Sequence, residues 1–79
     1  MSVEVTVRYW AGARRAAGRD SEQLLAANLG ELLSQLASRP ALTDVIAASS
    51  VLVDGVANPT DGPLVQGAVV DILPPFAGG

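Results

Sequence analysis

The carboxyl-terminal tail is the part of this sequence that is best suited to chemistry. Its residues are, in order, Pro74, Pro75, Phe76, Ala77, Gly78 and Gly79. Proline cannot donate a backbone hydrogen bond, so the Pro-Pro pair ends the preceding strand and directs the chain away from the domain. The two final glycines lack a Cβ, so they fit a narrow channel and accept backbone angles that other residues avoid. Because segment 74–79 reaches at most about 20 Å, we expect a short arm that enters the active site of another protein.

The chemically distinctive group of this tail is the α-carboxylate of Gly79. A carboxylate resists nucleophilic attack until one of its oxygens becomes a good leaving group, and adenylation by ATP on a partner enzyme would achieve this. Attack by sulfide would then leave a thiocarboxylate, whose sulfur is a nucleophile on a flexible arm. The alternative is an ordinary frayed terminus. Two final glycines arise by chance in about one of 200 chains, so the Gly-Gly ending alone is a moderate signal.

The residue types that carry most enzymatic chemistry are absent, since the sequence contains no Cys, no His and no Lys. The lack of Cys excludes disulfides, thiolate nucleophiles and Cys-ligated metals. The lack of His removes the commonest general base, and the lack of Lys removes Schiff-base chemistry. We therefore expect no metal site and no enzyme acting on its own.

Charge and hydropathy narrow the choice of partners. The net charge of −3 with scattered acidic residues argues against nucleic acid. Arg8, Arg14, Arg15 and Arg19 lie close together in the sequence, either as a solvated patch or as a contact for an acidic partner protein. No apolar run approaches the roughly 20 residues that span a bilayer, and residues 1–4 lack the features of a signal peptide. These observations predict a cytoplasmic protein that does not enter membranes.

Hydrophobic periodicity predicts the strands that must position the tail. Val3, Val5, Val7 and Tyr9 alternate with polar residues, which is the pattern of a half-buried strand over 3–10. In the last strand we expect Val70 and Ile72 to face inward and Asp71 outward, and Asp54-Gly55 has the composition of a tight hairpin turn. The further predicted strands cover 21–26, 51–53, 56–57 and 68–73.

The clearest predicted helix begins after Asn28, a capping residue that is followed three positions later by Glu31. Its apolar residues recur at helical spacing and form one stripe, and Pro40 ends it because a residue before proline avoids the α region. Segment 11–17 predicts one or two helical turns that stop at Gly18. A short helix is expected around 42–46, with Thr43 as its cap.

These elements predict an α+β fold of two layers, in which one main helix covers one face of a mixed sheet of four to five strands. This element order is that of a β-grasp, the ubiquitin-like fold, with the first and last strands parallel near the middle of the sheet. A chain of this length holds one thin core, so we treat residues 1–79 as a single domain with 74–79 as its extended functional tail.

Two segments resemble a known family. Residues 72–79 read ILPPFAGG, similar to a strand followed by Pro-Pro-x-Ala-Gly-Gly, and residues 7–14 read VRYWAGAR, similar to an aromatic–Ala-x-x-Arg segment after the first strand. Helix 28–38 is also similar in its leucine spacing. Together they resemble the small subunit of molybdopterin synthase, a family of ubiquitin-like sulfur carriers. Arg15 and the segment 67–70 depart from that family's pattern.

The resemblance implies a cycle of partners around Gly79. A ubiquitin-activating-like adenylyltransferase would form the glycyl adenylate with ATP and magnesium, and a sulfur donor enzyme would supply the thiocarboxylate; no cofactor would stay bound. The large synthase subunit would contribute the catalytic residues, and sulfur would pass to a pterin precursor of the molybdenum cofactor. Trp10, Arg14 and Leu73 would lie in the subunit interface of a heterotetramer, with Phe76 along the tail groove.

The sequence also allows other interpretations. Trp10 could pack in the core, although it shares a strand face with Arg8 and Thr6; if it is exposed with Leu73, the apolar patch predicts weak dimerisation of the isolated chain. The carrier could serve thiamine, cysteine or tRNA thiolation instead. The chain could also be a ubiquitin-type protein tag that is conjugated to lysines.

Overall fold

The computed structural model describes residues 1–57, 59 and 62–75. In that part of the chain, five strands form one mixed sheet in the order β2-β1-β5-β3-β4. The sheet has the two-layer α+β architecture predicted from the sequence. The strands are β1 (Val3–Tyr9), β2 (Ser21–Ala26), β3 (Ser50–Val53), β4 (Val56–Ala57) and β5 (Val69–Leu73).

The first and last strands are parallel neighbours at the middle of the sheet, as predicted. β5 pairs with β1 so that Arg8 lies opposite Asp71 and Tyr9 opposite Ile72. β2 and β3 flank this central pair and are antiparallel to it. Because parallel strands end at the same edge of a sheet, the end of β1 and the start of the tail lie side by side.

The helices are α1 (Ala11–Ala17), α2 (Leu29–Ala37) and α3 (Thr43–Ala48). α2 begins where the sequence predicts, since the Asn28 side chain accepts a hydrogen bond of 2.8 Å from the Glu31 amide. α1 ends at Gly18, whose φ of 76° is the left-handed C-cap conformation that glycine favours. Among the described residues, no helix is long and apolar enough to cross a membrane.

The core lies between α2 and one face of the sheet. Alternate residues of β1 and β5 point to this covered face, and the apolar stripe of α2 packs against them. Burial of this apolar surface is the main favourable contribution to folding. Its largest fully buried side chains are Tyr9, Leu32, Leu36, Leu42, Ile72, Val5, Val7 and Val70.

Thr43 does not cap α3, contrary to the prediction. Leu42 occupies the N-cap position without a side-chain hydrogen bond. The Thr43 hydroxyl instead donates to carbonyl oxygens of the preceding segment, at 2.7 Å to Ala37 and 3.1 Å to Arg39. The connection from α2 folds back over the end of that helix, so the hydroxyl lies within hydrogen-bond distance of these carbonyl oxygens.

The predicted hairpin turn between β3 and β4 is confirmed. Asp54 and Gly55 both have positive φ, at 48° and 81°, which is the conformation that a two-residue turn of this twist requires. The Asp54 carboxylate also accepts a hydrogen bond of 2.9 Å from the Val69 amide. This contact ties the hairpin to the start of β5.

Candidate functional site

The tail leaves the sheet at the carboxyl end of β5. The strand stops at Leu73, as expected from the prolines that follow, with Pro74 half-buried and Pro75 exposed. Pro74 and Pro75 line a shallow groove with residues of α1 and α3, among them Gly12 and Val45. The predictions for Phe76, Ala77, Gly78 and Gly79 lie outside the described residues.

The three residues predicted to lie in a partner interface surround one hollow beside this exit. Trp10 follows β1, Arg14 lies on α1, and Leu73 ends β5; together with Ala11 and Arg15 they line a surface hollow of about 340 Å³. The parallel pairing of β1 and β5 brings them together, because it places both strand ends at one edge. Their role in binding a partner stays a prediction.

Trp10 lies at the surface and not in the core. The residue is 39% exposed, and its backbone amide donates a hydrogen bond of 3.2 Å to the Ile72 carbonyl. This bond continues the β1–β5 ladder one residue past the strand. The indole is therefore anchored next to the tail exit.

Asp71 faces outward, as the sequence predicts, and yet it is buried. Its side chain points to the sheet face opposite α2, but the residue is only 4% exposed. The Arg8 guanidinium donates two hydrogen bonds to it, of 2.6 Å to Oδ1 and 2.9 Å to Oδ2, and the Trp10 indole N–H donates another of 2.9 Å to Oδ1. The two larger side chains cover the carboxylate, which explains why an outward-facing residue is buried. We call Arg8, Asp71 and Trp10 the open-face cluster.

Electrostatics keep the Asp71 carboxylate ionised. The hydrogen bonds from Arg8 lower the pKa of Asp71 below its ordinary value, against the opposing effect of burial. The same pairing raises the pKa of Arg8. The Arg8 guanidinium carbon also lies 5.7 Å from the centre of the Trp10 ring, within the range of a cation–π interaction. At neutral pH the cluster thus consists of a charge pair and an aromatic ring that both charges contact.

Arginines add positive charge around the hollow. Arg14 is exposed and lies 3.3 Å from the Asp20 carboxylate, which is itself largely exposed. An ion pair between two exposed side chains contributes little to stability. This arrangement leaves the guanidinium of Arg14 accessible to a partner.

A second carboxylate with little exposed surface, Glu22, lies on the covered face, and its side chain is 8% exposed. It accepts hydrogen bonds of 2.7 and 2.9 Å from the Arg39 guanidinium and one of 2.7 Å from the Tyr9 hydroxyl. Hydrogen bonds from Arg39 are the main reason that the pKa of Glu22 is lowered. Burial, followed by the bond to Glu22, raises the pKa of Tyr9. We call Glu22, Tyr9 and Arg39 the covered-face network.

Sequence reasoning missed Arg8 and Asp71 as parts of the site. The available signal was their shared position on the outer face of β1 and β5, where opposite charges at neighbouring strand positions attract. Using it requires the register that pairs the two residues. Among the described residues, no group of three carboxylates is placed to hold a metal ion.

Comparisons with known proteins agree with this architecture. The model of the ThiS family matches residues 7–79. A comparison with curated protein sequences finds no significant match. The small archaeal modifier protein 1 of Methanosarcina acetivorans is 26% identical with a TM-score of 0.82, and the match covers 100% of this chain and 99% of that protein.

Two further solved structures are similar and concern molybdopterin converting factor. A protein assigned as its subunit 1 from Pyrococcus furiosus is 29% identical with a TM-score of 0.81, covering 94% of this chain and 99% of that one. A chain from the complex of subunits 1 and 2 from Helicobacter pylori is 23% identical with a TM-score of 0.80, covering 98% and 100%. At that lower identity the likeness shows the fold alone. The β-grasp fold predicted from the sequence is confirmed.

Proposed function

We propose a specific task for this chain, which belongs to the ThiS family and is therefore a ubiquitin-like sulfur carrier. The task is that of the small subunit of molybdopterin synthase. In this role the chain is not an enzyme on its own but the sulfur-donating subunit of a sulfurtransferase. The observation that carries the proposal is the ending ILPPFAGG of the sequence. The strand that precedes this tail ends at Leu73, which lies beside Trp10 and Arg14.

The Gly79 carboxylate would be activated before it accepts sulfur. One of its oxygens attacks the α-phosphorus of ATP on an adenylyltransferase, which forms the glycyl adenylate and releases pyrophosphate; magnesium on that enzyme balances the phosphate charge. A sulfide equivalent from a sulfur donor enzyme then attacks the acyl carbon and expels AMP. The product is a thiocarboxylate at the end of the tail. Because ATP is the co-reactant, we place the carrier in the cytoplasm.

Delivery would need a second protein that supplies the catalytic residues. The carrier would dock on a large subunit through the hollow lined by Trp10, Arg14 and Leu73, while segment 74–79 enters the active site. The similar Helicobacter pylori chain was solved as a complex of subunits 1 and 2, which supports a partner of this kind. The exposed aromatic and arginine side chains are residue types that contribute strongly to protein interfaces. Two carriers and two large subunits would form the heterotetramer.

A protein-tagging role is the second candidate. The match to a small archaeal modifier protein favours it. Conjugation uses the same acyl adenylate, but the acyl group passes to a lysine amine instead of to sulfide. A carrier for thiamine, cysteine or tRNA thiolation would share the chemistry and differ only in the recipient.

Intact mass separates the carrier from the tag. The purified chain is incubated with an adenylyltransferase, ATP, magnesium and a sulfur donor. A carrier gains the mass difference between one sulfur and one oxygen atom, while a variant that lacks Gly79 gains nothing. High-mass conjugates without the small gain would contradict the carrier role.

Binding to a large synthase subunit then distinguishes molybdopterin synthesis from the other pathways that could receive the sulfur. We expect this chain to bind the large subunit and the thiocarboxylate form to convert the pterin precursor. A thiocarboxylate that forms normally but supports no conversion would leave a sulfur carrier for another pathway, and the molybdopterin assignment would be wrong.

A further inference from the structure

Asp71 differs from every other charged residue that the structure describes, because it alone is buried. It lies on the central strand and on the face that α2 leaves open. Burial of a charged group is costly unless it is paired and hydrogen-bonded. Both acceptor oxygens of Asp71 are paired, with donors from Arg8 near the end of β1 and from Trp10 just after it.

The contacts of Asp71 determine where the Trp10 ring lies. The indole N–H donates to Oδ1 of Asp71, while the guanidinium held by the same carboxylate sits over the ring at 5.7 Å. The ring is thus fixed both at its edge and at its face, yet the residue remains 39% exposed. An exposed aromatic side chain that is already ordered binds a partner more tightly, because less rotamer entropy is lost on docking.

We propose that Asp71 is a positioning residue that holds the Trp10 indole in the orientation in which it docks on the large subunit. The inference rests on the proposed function for its docking step, and on the cluster geometry for its positioning step. Asp71 itself is covered by Arg8 and Trp10 and contacts the partner only through them. The lowered pKa of Asp71 keeps it an acceptor for both donors at neutral pH.

Asp71→Asn is the test variant, and Glu22→Gln is its matched control. Each substitution replaces a carboxylate by an amide of the same shape. The two carboxylates have 6% and 8% exposed side chains, and each accepts two hydrogen bonds from an arginine and one from an aromatic side chain. The control loses the same kind of ion pair on the covered face, so it separates loss of stability from loss of indole order.

The first measurement uses the free protein, in which Trp10 is the sole tryptophan. We expect Asp71→Asn to raise acrylamide quenching of the fluorescence and to lower its anisotropy, while Glu22→Gln leaves both unchanged. The indole N–H proton resonance should shift only in Asp71→Asn. Unchanged indole signals in folded Asp71→Asn would overturn the positioning role.

The second measurement is affinity for the large subunit in a double-mutant cycle with Trp10→Phe, which keeps an aromatic ring without the N–H. Asp71→Asn should weaken binding about threefold to tenfold in the wild-type background, the ordering cost of one side chain. In the Trp10→Phe background the added loss should be clearly smaller, because the residues are coupled. An equal loss in both backgrounds would show that Asp71 acts without Trp10 and would overturn the inference.

The experiments distinguish failure of the proposed function from failure of the inference about Asp71. If the wild-type chain binds no large subunit but gains a thiocarboxylate, the molybdopterin assignment and the docking step are wrong, while the indole signals still decide whether Asp71 orders Trp10. If binding and sulfur transfer are normal and Asp71→Asn leaves both the indole and the affinity unchanged, the proposed function stands and this inference is wrong.

Discussion

The two faces of the sheet use the same ionic arrangement for different ends. On the covered face, Glu22 accepts hydrogen bonds from Arg39 and Tyr9; on the open face, Asp71 accepts them from Arg8 and Trp10. Tyr9 is 1% exposed, whereas Trp10 is 39% exposed. The same combination of a carboxylate, an arginine and an aromatic side chain therefore holds a buried ring on the covered face and an exposed ring on the open face.

The location of each carboxylate in the fold explains why Tyr9 is buried and Trp10 is exposed. The covered-face network joins an edge strand to the segment after α2, so its contacts hold two layers of the fold together. The open-face cluster joins β1 to β5 at the edge from which the tail leaves. A change in the covered-face network should therefore lower stability without affecting recognition, whereas a change in the open-face cluster should affect recognition.

The largest expected effect on stability comes from the core side of this comparison. Leu36→Ala removes a fully buried side chain of α2 and should lower the free energy of unfolding by about 2–5 kcal/mol. Urea denaturation measures this change. The matched open-face variant is Leu25→Ala, at a residue that is 62% exposed, and it should change the free energy by at most about 0.5 kcal/mol. Equal losses in the two variants would contradict the division between faces.

A smaller effect is expected from the covered-face network. Glu22→Gln leaves the Arg39 guanidinium without its charged acceptor and should lower the free energy of unfolding by about 1–2 kcal/mol, a value reduced because the Arg39 side chain is 40% exposed. Affinity for the large subunit, measured by calorimetry, should stay within about twofold, since no interface group moves. A stability loss without any binding loss sharpens the comparison, whereas weaker binding of the folded variant would break it.

Acid should weaken the ion pairs of both Glu22 and Asp71 and so lower stability, whereas pH changes near neutrality should have little effect. A carboxylate whose pKa is lowered on folding contributes stability that is fully present above its ordinary value and is lost as the pH falls through the folded value. The ordinary pKa values are 4.5 for Glu22 and 3.8 for Asp71. The free energy of unfolding should therefore decrease as the pH drops below these values, and it should stay level above about pH 5. Denaturation at a series of pH values measures it.

Variants separate the two contributions in this acid window. Both Glu22→Gln and Asp71→Asn should flatten the pH dependence of stability, because each removes one titrating group. The Trp10 fluorescence of the folded chain should respond to acid in wild type and in Glu22→Gln only. An acid response of that fluorescence in Asp71→Asn would assign it to another group.

Local patterns in the sequence were sufficient to predict most elements. The alternation in β1, the Asn28 cap of α2 and the Asp54-Gly55 turn are each determined by neighbouring residues, so their prediction needed no tertiary information. The prolines after Leu73 likewise predict the end of β5. The prediction that Thr43 caps α3 was wrong because its hydroxyl donates a hydrogen bond to a carbonyl oxygen of the preceding segment.

The open-face cluster could not be predicted from local patterns. Arg8 and Asp71 are 63 residues apart in the sequence and meet only in the parallel register of β1 and β5. Period-two alternation correctly assigned Asp71 to the outer face, but it gave no information about which side chains would cover it. Burial of an outward-facing residue depends on the size and charge of its cross-strand neighbours, here Arg8 and Trp10.

The central claim is that the Gly79 carboxyl group becomes the sulfur-bearing group. The most direct test compares three chains in sulfur delivery with the large subunit: wild type, a variant that lacks Gly79, and a variant extended by one alanine. All three keep the sheet and the open-face cluster, so all should bind the large subunit. We expect only wild type to deliver sulfur; delivery by either altered chain would contradict the account.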